Sequence, residues 1–404
     1  MIEIEKLYRV AVENTLLVKD YRKRLLYPKL KRLIEEFKGQ NMKKPVIIVP
    51  GIRGIGKTTL LIQLFDEYKE SFYFSADSVL IKSEGLYNTI EHLYRNGYKI
   101  IFIDEIHQYV RWINELKNIC DNFDLTIVVS GSSTAALKKG AITLGRRAIE
   151  MPLSPLTFRE FVYILDCADY SASLEEAVDK KNTIHWLAAH PDIEKHYRTY
   201  LNLGGFPSGI SAKDAIFRLM KKMIYEDALA EFSLSENKVD VAERLLSFLA
   251  SSKPGEFSYT SFSLMSGYAK STVYEAARML YELGIIRYIE EDSPKAKAKA
   301  TVKLIFSHPN LRSAFADQLM REAELGALRE EYFVFHISEL GFPIFIPKKM
   351  RKVPDYLVKI GEKTVLFEIG GSSKGTSQFE GKKGVVMNDD ALIVLGFVQK
   401  TDQK

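Results

Sequence analysis

The chain has 404 residues, of which 46% are apolar and 27% charged, with a formal net charge of +5. That balance excludes a disordered chain and leaves room for about two to four domains, each with its own core. Cys120 and Cys167 are the only cysteines and have no C-x-x-C spacing, which gives little support to a disulfide framework or a zinc site; no apolar run approaches the roughly 18 residues that span a bilayer, and Met1-Ile2-Glu3-Ile4-Glu5 does not read as a signal peptide, so a cytoplasmic location is expected.

Residues 1 to about 44 are basic and amphipathic, with Leu16, Leu17, Tyr21, Leu25, Leu26, Leu30 and Leu33 at helical spacing. They are expected to form helices packed beside a sheet. The apolar run Val46-Ile47-Ile48-Val49 then reads as a buried strand. It leads into Gly51-Ile52-Arg53-Gly54-Ile55-Gly56-Lys57-Thr58, and Thr59-Leu60-Leu61-Ile62 begins a helix. A glycine-rich loop between strand and helix lets successive backbone N–H groups converge on one anion, aided by the helix dipole. Residues 51–59 are therefore expected to bind the phosphates of ATP, with Lys57 reaching the β- and γ-phosphates and Thr58 ligating Mg²⁺.

Lys99-Ile100-Ile101-Phe102-Ile103-Asp104-Glu105 is a second continuously apolar strand, closed by two carboxylates. In this position after a phosphate loop, Asp104 is expected to hold Mg²⁺ and Glu105 to orient and deprotonate the attacking water. A third buried strand, Leu125 to Ser130, ends in Gly131-Ser132-Ser133, where a serine is also placed to cap the helix that follows. Beyond it, Gly145-Arg146-Arg147 offers two guanidinium groups, either of which suits charge stabilisation on a transferring phosphoryl group.

From Thr157 to about Phe232 the pattern is helical and breaks at Gly204-Gly205-Phe206-Pro207, as expected of a helical lid; His185, His190 and His196 there lack partner carboxylates in a ligand pattern. The next segment reads as a winged helix-turn-helix: helices over Val239–Ala250, Tyr259–Met265 and Ser271–Leu283, then strands over Ile285–Ile289 and Thr301–Phe306. A version that binds double-stranded DNA presents Lys270, Ser271, Thr272, Tyr274 and Arg278 to the major groove and Lys295, Lys297 and Lys299 to phosphates. Glu275 on the same helix weakens that picture, and a structural or protein-binding module is the alternative.

The last segment places a helix over about Arg321–Leu340, carrying Glu330 and Glu331, before strands at Pro343–Ile346, Val353–Val358, Thr364–Gly370 and Ala391–Leu395. This order, with Asp355 and Glu368 on paired strands, resembles the restriction-endonuclease-like nuclease fold. The resemblance implies a second Mg²⁺ site at Asp355 and Glu368, Glu331 being the better helical candidate for a third ligand. It also implies a lysine two positions after Glu368, where this chain has Gly370; the nearest is Lys374, so a degenerate module that recognises a partner or nucleic acid is the rival.

Several segments occur in one order: the phosphate loop, Ile103-Asp104-Glu105-Ile106-His107, Ser130-Gly131-Ser132-Ser133, Gly145-Arg146, Pro152 to Phe161, and Tyr200-Leu201-Asn202-Leu203-Gly204-Gly205-Phe206-Pro207. Together they resemble the archaeal-type predicted ATPases of the AAA+ superfamily, which carry a C-terminal domain of unknown function. The resemblance implies an ATPase core, a lid and a C-terminal module, with ATP and Mg²⁺ as ligands. It makes Ser132 or Ser133 the γ-phosphate sensor and Arg146 or Arg147 the arginine finger. The expected fold is α/β: a P-loop parallel sheet with N-terminal helices over residues 1–155, a helical lid over 156–234, a winged helix over 235–312 and a nuclease-like α/β domain over 313–404. The expected function is ATP hydrolysis that switches the C-terminal modules. A DNA-binding or nuclease protein licensed by ATP, and a scaffold that holds ATP without hydrolysing it, are the alternatives.

Overall fold

The computed structural model describes residues 4–38, 44–132, 134–166, 168–212, 214–228, 236–292, 302–347, 353–371, 379 and 383–400. Ser133, Cys167, Lys295, Lys297, Lys299 and Lys374 lie outside the described residues. The chain divides into two compact units, Met1–Ser154 and Pro155–Lys404. Among the described residues no helix is long and apolar enough to cross a membrane.

The first unit is built on strands β1 (Val46–Pro50), β2 (Ser71–Ser75), β3 (Ile100–Asp104), β4 (Thr126–Gly131) and β5 (Ala148–Glu150), all parallel, in the order β2-β3-β4-β1-β5. Parallel strands covered on both faces have no polar side, which is why Val46–Val49 of β1, Ile100–Ile103 of β3 and Ile127–Val129 of β4 are unbroken apolar runs. Ile48, Phe74, Ile101, Ile103 and Val129 pack with Ile90, Leu116 and Ile119 from the connecting helices in one core. The register sets Val49 of β1 beside Ser130 of β4, and Asp104 of β3 beside Ser75 of β2. The carboxyl ends of the central strands therefore meet along one edge, where ligands bind in open α/β sheets.

The N-terminal segment forms two helices, Ile4–Val18 and Tyr27–Lys38. Its expected apolar stripe does not hold throughout. Leu16 and Leu17 are 69% and 71% exposed, whereas Ala11, Val18, Tyr27, Leu30, Ile34 and Phe37 are buried. The break between the helices resets the phase, so one stripe drawn across both selects the wrong side of the first.

The second unit contains two antiparallel or mixed sheets. Helices Glu236–Ser251, Tyr259–Ser266 and Lys270–Glu282 precede a three-stranded sheet of β6 (Glu256–Phe257), β7 (Ile286–Glu290) and β8 (Val302–Phe306), ordered β6-β8-β7. A four-stranded sheet follows, ordered β12-β11-β10-β9, from β9 (Ile344–Phe345), β10 (Tyr356–Ile360), β11 (Lys363–Ile369) and β12 (Gly384–Met387). The segment expected as a lid shares its core with this sheet: Phe158, Phe161, Tyr197 and Tyr200 pack in one cluster with Tyr332, Phe333, Phe367 and Phe397.

Ala391–Leu395, expected as a strand, lies in the helix Asp389–Leu395. The Asn388 side chain accepts the Ala391 N–H at 3.0 Å, and Asp389 and Asp390 complement the dipole of the first turn. An apolar run of five residues fits a buried strand or a buried helix equally, and here the cap decides.

The Tyr200–Pro207 motif is a packing device of this unit. Asn310 Nδ2 donates to the carbonyls of Tyr200 (2.6 Å) and Leu201 (2.9 Å), its Oδ1 accepts the Gly205 N–H, and the Tyr200 hydroxyl lies 3.0 Å from His308 Nε2. A Cβ on Gly205 would stand 2.1 Å from His308 Cε1. Gly205→Ala is therefore expected to destabilise the unit by about 2–4 kcal/mol, because the buried ring has no room to give. Chemical denaturation of wild type and variant measures this.

Candidate nucleotide site

Gly56 adopts φ +94°, a left-handed conformation that glycine accepts without strain, and Lys57 opens the helix Lys57–Phe65 directly after it. The Lys57 side chain is buried and its Nζ donates to the carbonyls of Gly51 (2.8 Å) and Ile52 (3.0 Å), so the ammonium is held at the mouth of the loop. Arg24, from the turn between the N-terminal helices, is buried beneath the loop. Its guanidinium donates to the Ile55 carbonyl and, at 2.8 Å, to that of Ser154. Nothing in the local sequence marks this residue, which acts 31 positions away in the chain.

Asp104 is buried and ends β3. Its Oδ2 accepts the hydroxyls of Thr58 (2.5 Å) and Tyr73 (3.2 Å), and its Oδ1 accepts the Ser130 hydroxyl and the Glu105 N–H at 3.0 Å. The carboxylate is thus pinned by groups from β2, β3, β4 and the helix after the loop. Thr58 and Asp104 offer two hard oxygen donors side by side, a set that suits Mg²⁺, which takes one or two protein oxygens and completes its shell with phosphate and water. Tyr73 and Ser130 escape a reading of motifs, although a polar residue closing the apolar run of β4 is a visible sign for Ser130.

Glu105 has φ +48°, a backbone conformation seldom adopted outside glycine and a frequent mark of functional sites. From this turn its side chain reaches Ser132. Both the Ser132 N–H and the Ser132 hydroxyl donate to Glu105 Oε2, each at 3.2 Å. Burial raises the Glu105 pKa, opposed chiefly by the charge of Lys57, while Asp104 adds to the rise. Burial, with Lys57 and Arg53 nearby, pushes His107 down to about 4, so its imidazole is neutral at pH 7.

The arginines are placed differently. Arg147 pairs in a bidentate manner with Asp121, Nε to Oδ1 at 3.0 Å and Nη2 to Oδ2 at 3.2 Å, whereas Arg146 is exposed on the same turn. Among the residues of the helix Lys270–Glu282, Lys270, Ser271, Tyr274 and Arg278 are exposed and Thr272 is half-buried; Glu275 pairs with Lys238 at 2.8 Å and Arg278 with Glu282 at 2.7 Å.

In the C-terminal sheet Asp355 Oδ2 accepts the Ile369 N–H at 2.8 Å, tying the start of β10 to the end of β11, and Glu368 is buried. Glu331 is not available as a third ligand beside them. It is fully buried, and its Oε1 accepts from Arg312 Nε (2.9 Å), Arg312 Nη2 (2.9 Å) and the Phe306 N–H (3.0 Å). Glu330 is engaged as well, by Lys303 Nζ at 2.9 Å and the Tyr356 hydroxyl at 2.8 Å. Among the described residues no group of three or more His, Cys, Asp or Glu side chains stands where it could hold a metal ion.

A parallel sheet of this order, with a glycine loop and lysine after β1 and an acidic pair after β3, defines a P-loop nucleotide-binding fold. The family model described as an AAA domain matches residues 43–162, the span that carries the phosphate loop and the acidic pair. An uncharacterized protein of Methanocaldococcus jannaschii is 24% identical over 411 residues, covering 92% of this chain and 86% of that protein. The RuvB subunit of the Holliday junction branch migration complex of Mycoplasmopsis synoviae is 31% identical over 129 residues, 32% of this chain and 37% of its own length. Among solved structures, the chain is similar to the Aeropyrum pernix ORC1 protein in complex with DNA, at 12% identity and a TM-score of 0.33, covering 73% of this chain and 92% of that one. It is also similar to AMPPCP-bound DnaA from Aquifex aeolicus, at 17% identity and a TM-score of 0.29, covering 66% and 90%.

Proposed function

We propose that the first unit hydrolyses ATP with Mg²⁺ and that turnover there resets the second unit, which acts on duplex DNA. The observation that carries this reading is the 2.5 Å hydrogen bond from Thr58 to Asp104, which joins the phosphate loop to the acidic end of β3 at a buried lysine. Residues 51–59 bind the triphosphate, Lys57 neutralises its outer oxygens, and Glu105 takes a proton from the attacking water. Thr58 and Asp104 would hold Mg²⁺, which would supply positive charge at the phosphates. Ser132, the expected phosphate sensor, gives both its N–H and its hydroxyl to Glu105 and so serves the base, and the exposed Arg146 is the better of the two arginines to reach a phosphoryl group, because Arg147 is committed to Asp121.

DNA as the effector is supported by the RuvB similarity and by the exposed Lys270, Ser271, Tyr274 and Arg278 on a helix of a winged-helix arrangement. The test is ATP turnover by the full chain with and without duplex DNA. Stimulation of at least severalfold that declines with added salt is expected. Turnover indifferent to DNA would replace DNA by a protein partner, and turnover no higher than in Lys57→Ala would leave a protein that holds nucleotide without hydrolysing it.

A further inference from the structure

The two oxygens of Glu105 are treated unequally. Oε2 receives the Ser132 N–H and the Ser132 hydroxyl at 3.2 Å and lies 3.3 Å from His107 Nδ1, whereas Oε1 accepts no hydrogen bond among the described residues. His107 is enclosed by the same elements. Its side chain is 3% exposed, its Nε2 lies 3.1 Å from Gln108 Nε2 and 3.4 Å from the Ser132 hydroxyl, and its Nδ1 is buried with no aligned partner. An amide NH₂ only donates, so Nε2 of the neutral ring accepts and the ring proton is on Nδ1, on the side of Glu105. Oε2, 3.3 Å away, is the acceptor that proton faces, although the two are not aligned as a hydrogen bond.

We infer that His107 is a positioning residue: with Ser132 it anchors Glu105 Oε2, so that Oε1 alone is presented to the lytic water. This inference rests on the hydrolytic reading above. Gly131 is part of the device. A Cβ there would stand 2.8 Å from His107 Nδ1 and 2.7 Å from Leu137 Cδ1, so any side chain at 131 displaces the imidazole. A base whose reacting oxygen is set by contacts to the other oxygen needs no reorganisation when water arrives, and a misplacement of about 1 Å is worth up to about 100-fold in rate.

The experiment compares kcat for ATP hydrolysis, and nucleotide affinity by a fluorescent ATP analogue, in wild type, His107→Leu, His107→Asn, Gly131→Ala and Lys57→Ala. His107→Leu keeps the bulk but removes the donor, and kcat is expected to fall about 10- to 100-fold with affinity within about twofold. His107→Asn keeps an N–H where Nδ1 stands, and most of the rate is expected to return. Gly131→Ala, with His107 intact but displaced, is expected to match His107→Leu. Equal kcat in wild type and His107→Leu, or loss of affinity in step with kcat, would overturn the role of His107 alone. Wild-type turnover no greater than that of Lys57→Ala would overturn the hydrolytic reading and this inference with it.

Discussion

Glu105→Gln is expected to lower ATP turnover by about 10²- to 10⁴-fold while nucleotide affinity stays within about twofold. The amide is nearly isosteric, and its oxygen still accepts the Ser132 N–H and hydroxyl that hold Glu105 Oε2 at 3.2 Å. What disappears is the capacity to take a proton from water. Lys57→Ala behaves differently, because the ammonium bonded to Gly51 and Ile52 carbonyls at the loop mouth is a charge for binding as well as for chemistry. Loss of charge-assisted hydrogen bonds worth about 1.5–3 kcal/mol weakens affinity roughly 10- to 100-fold in addition to removing turnover. The pair of variants, measured by turnover and by equilibrium binding, separates the base from the phosphate ligand. A Glu105→Gln protein with normal turnover would show that another group deprotonates the water.

Arg312→Leu is expected to destabilise the second unit by about 3–5 kcal/mol, the usual cost of leaving one member of a buried pair without its partner. For a unit of this size that corresponds to a fall in Tm of roughly 6–20 °C. Arg312 and Glu331 are 1% and 0% exposed in their side chains, and the guanidinium also donates to the carbonyls of Leu249 (2.5 Å) and Ser252 (3.0 Å). The double variant Arg312→Leu with Glu331→Leu is expected to be more stable than Arg312→Leu alone, because the uncompensated carboxyl is gone. It stays below wild type, since the Leu249 and Ser252 carbonyls and the Phe306 N–H lose their partners.

The pH dependence of the single variant has a definite sign. Burial already raises Glu331 to about 7, against the opposing charge of Arg312, so removing Arg312 raises it further. A carboxyl whose folded pKa lies above its unfolded value binds its proton in the folded state first, and stability is lost as pH rises through that window. Arg312→Leu is therefore less stable at pH 8 than at pH 6. Denaturant melts at the two pH values test this, and a variant more stable at the higher pH would refute it.

The phosphate loop and the Asp104-Glu105 pair are legible in sequence because their chemistry is contiguous. A loop that points backbone N–H groups at phosphate needs its glycines, lysine and threonine within eight residues, and a strand buried on both faces announces itself as an apolar run. The three helices and the strands β7 and β8 of residues 236–306 are equally visible, since each has its own periodicity and turn residues, whereas the two-residue β6 is too short to leave a pattern. Other features depend on partners far apart in the chain. Arg24 under the loop, Tyr73 and Ser130 on Asp104, and His107 between Glu105 and Gly131 are brought together by sheet order and register, which no local pattern encodes. The same holds where sequence reading went astray. Leu16 and Leu17 face outward because the first helix is out of phase with the second, and Ala391–Leu395 is helical because Asn388 caps it inside an apolar cluster. Glu331 is taken by Arg312 because the fold brings helix Leu325–Glu339 against helix Pro309–Gln318. Local spacing determines which backbone conformations and charged groups the chain offers. The pairing of those groups is decided by tertiary packing, because a buried charge or hydroxyl must find its partner wherever the fold supplies one.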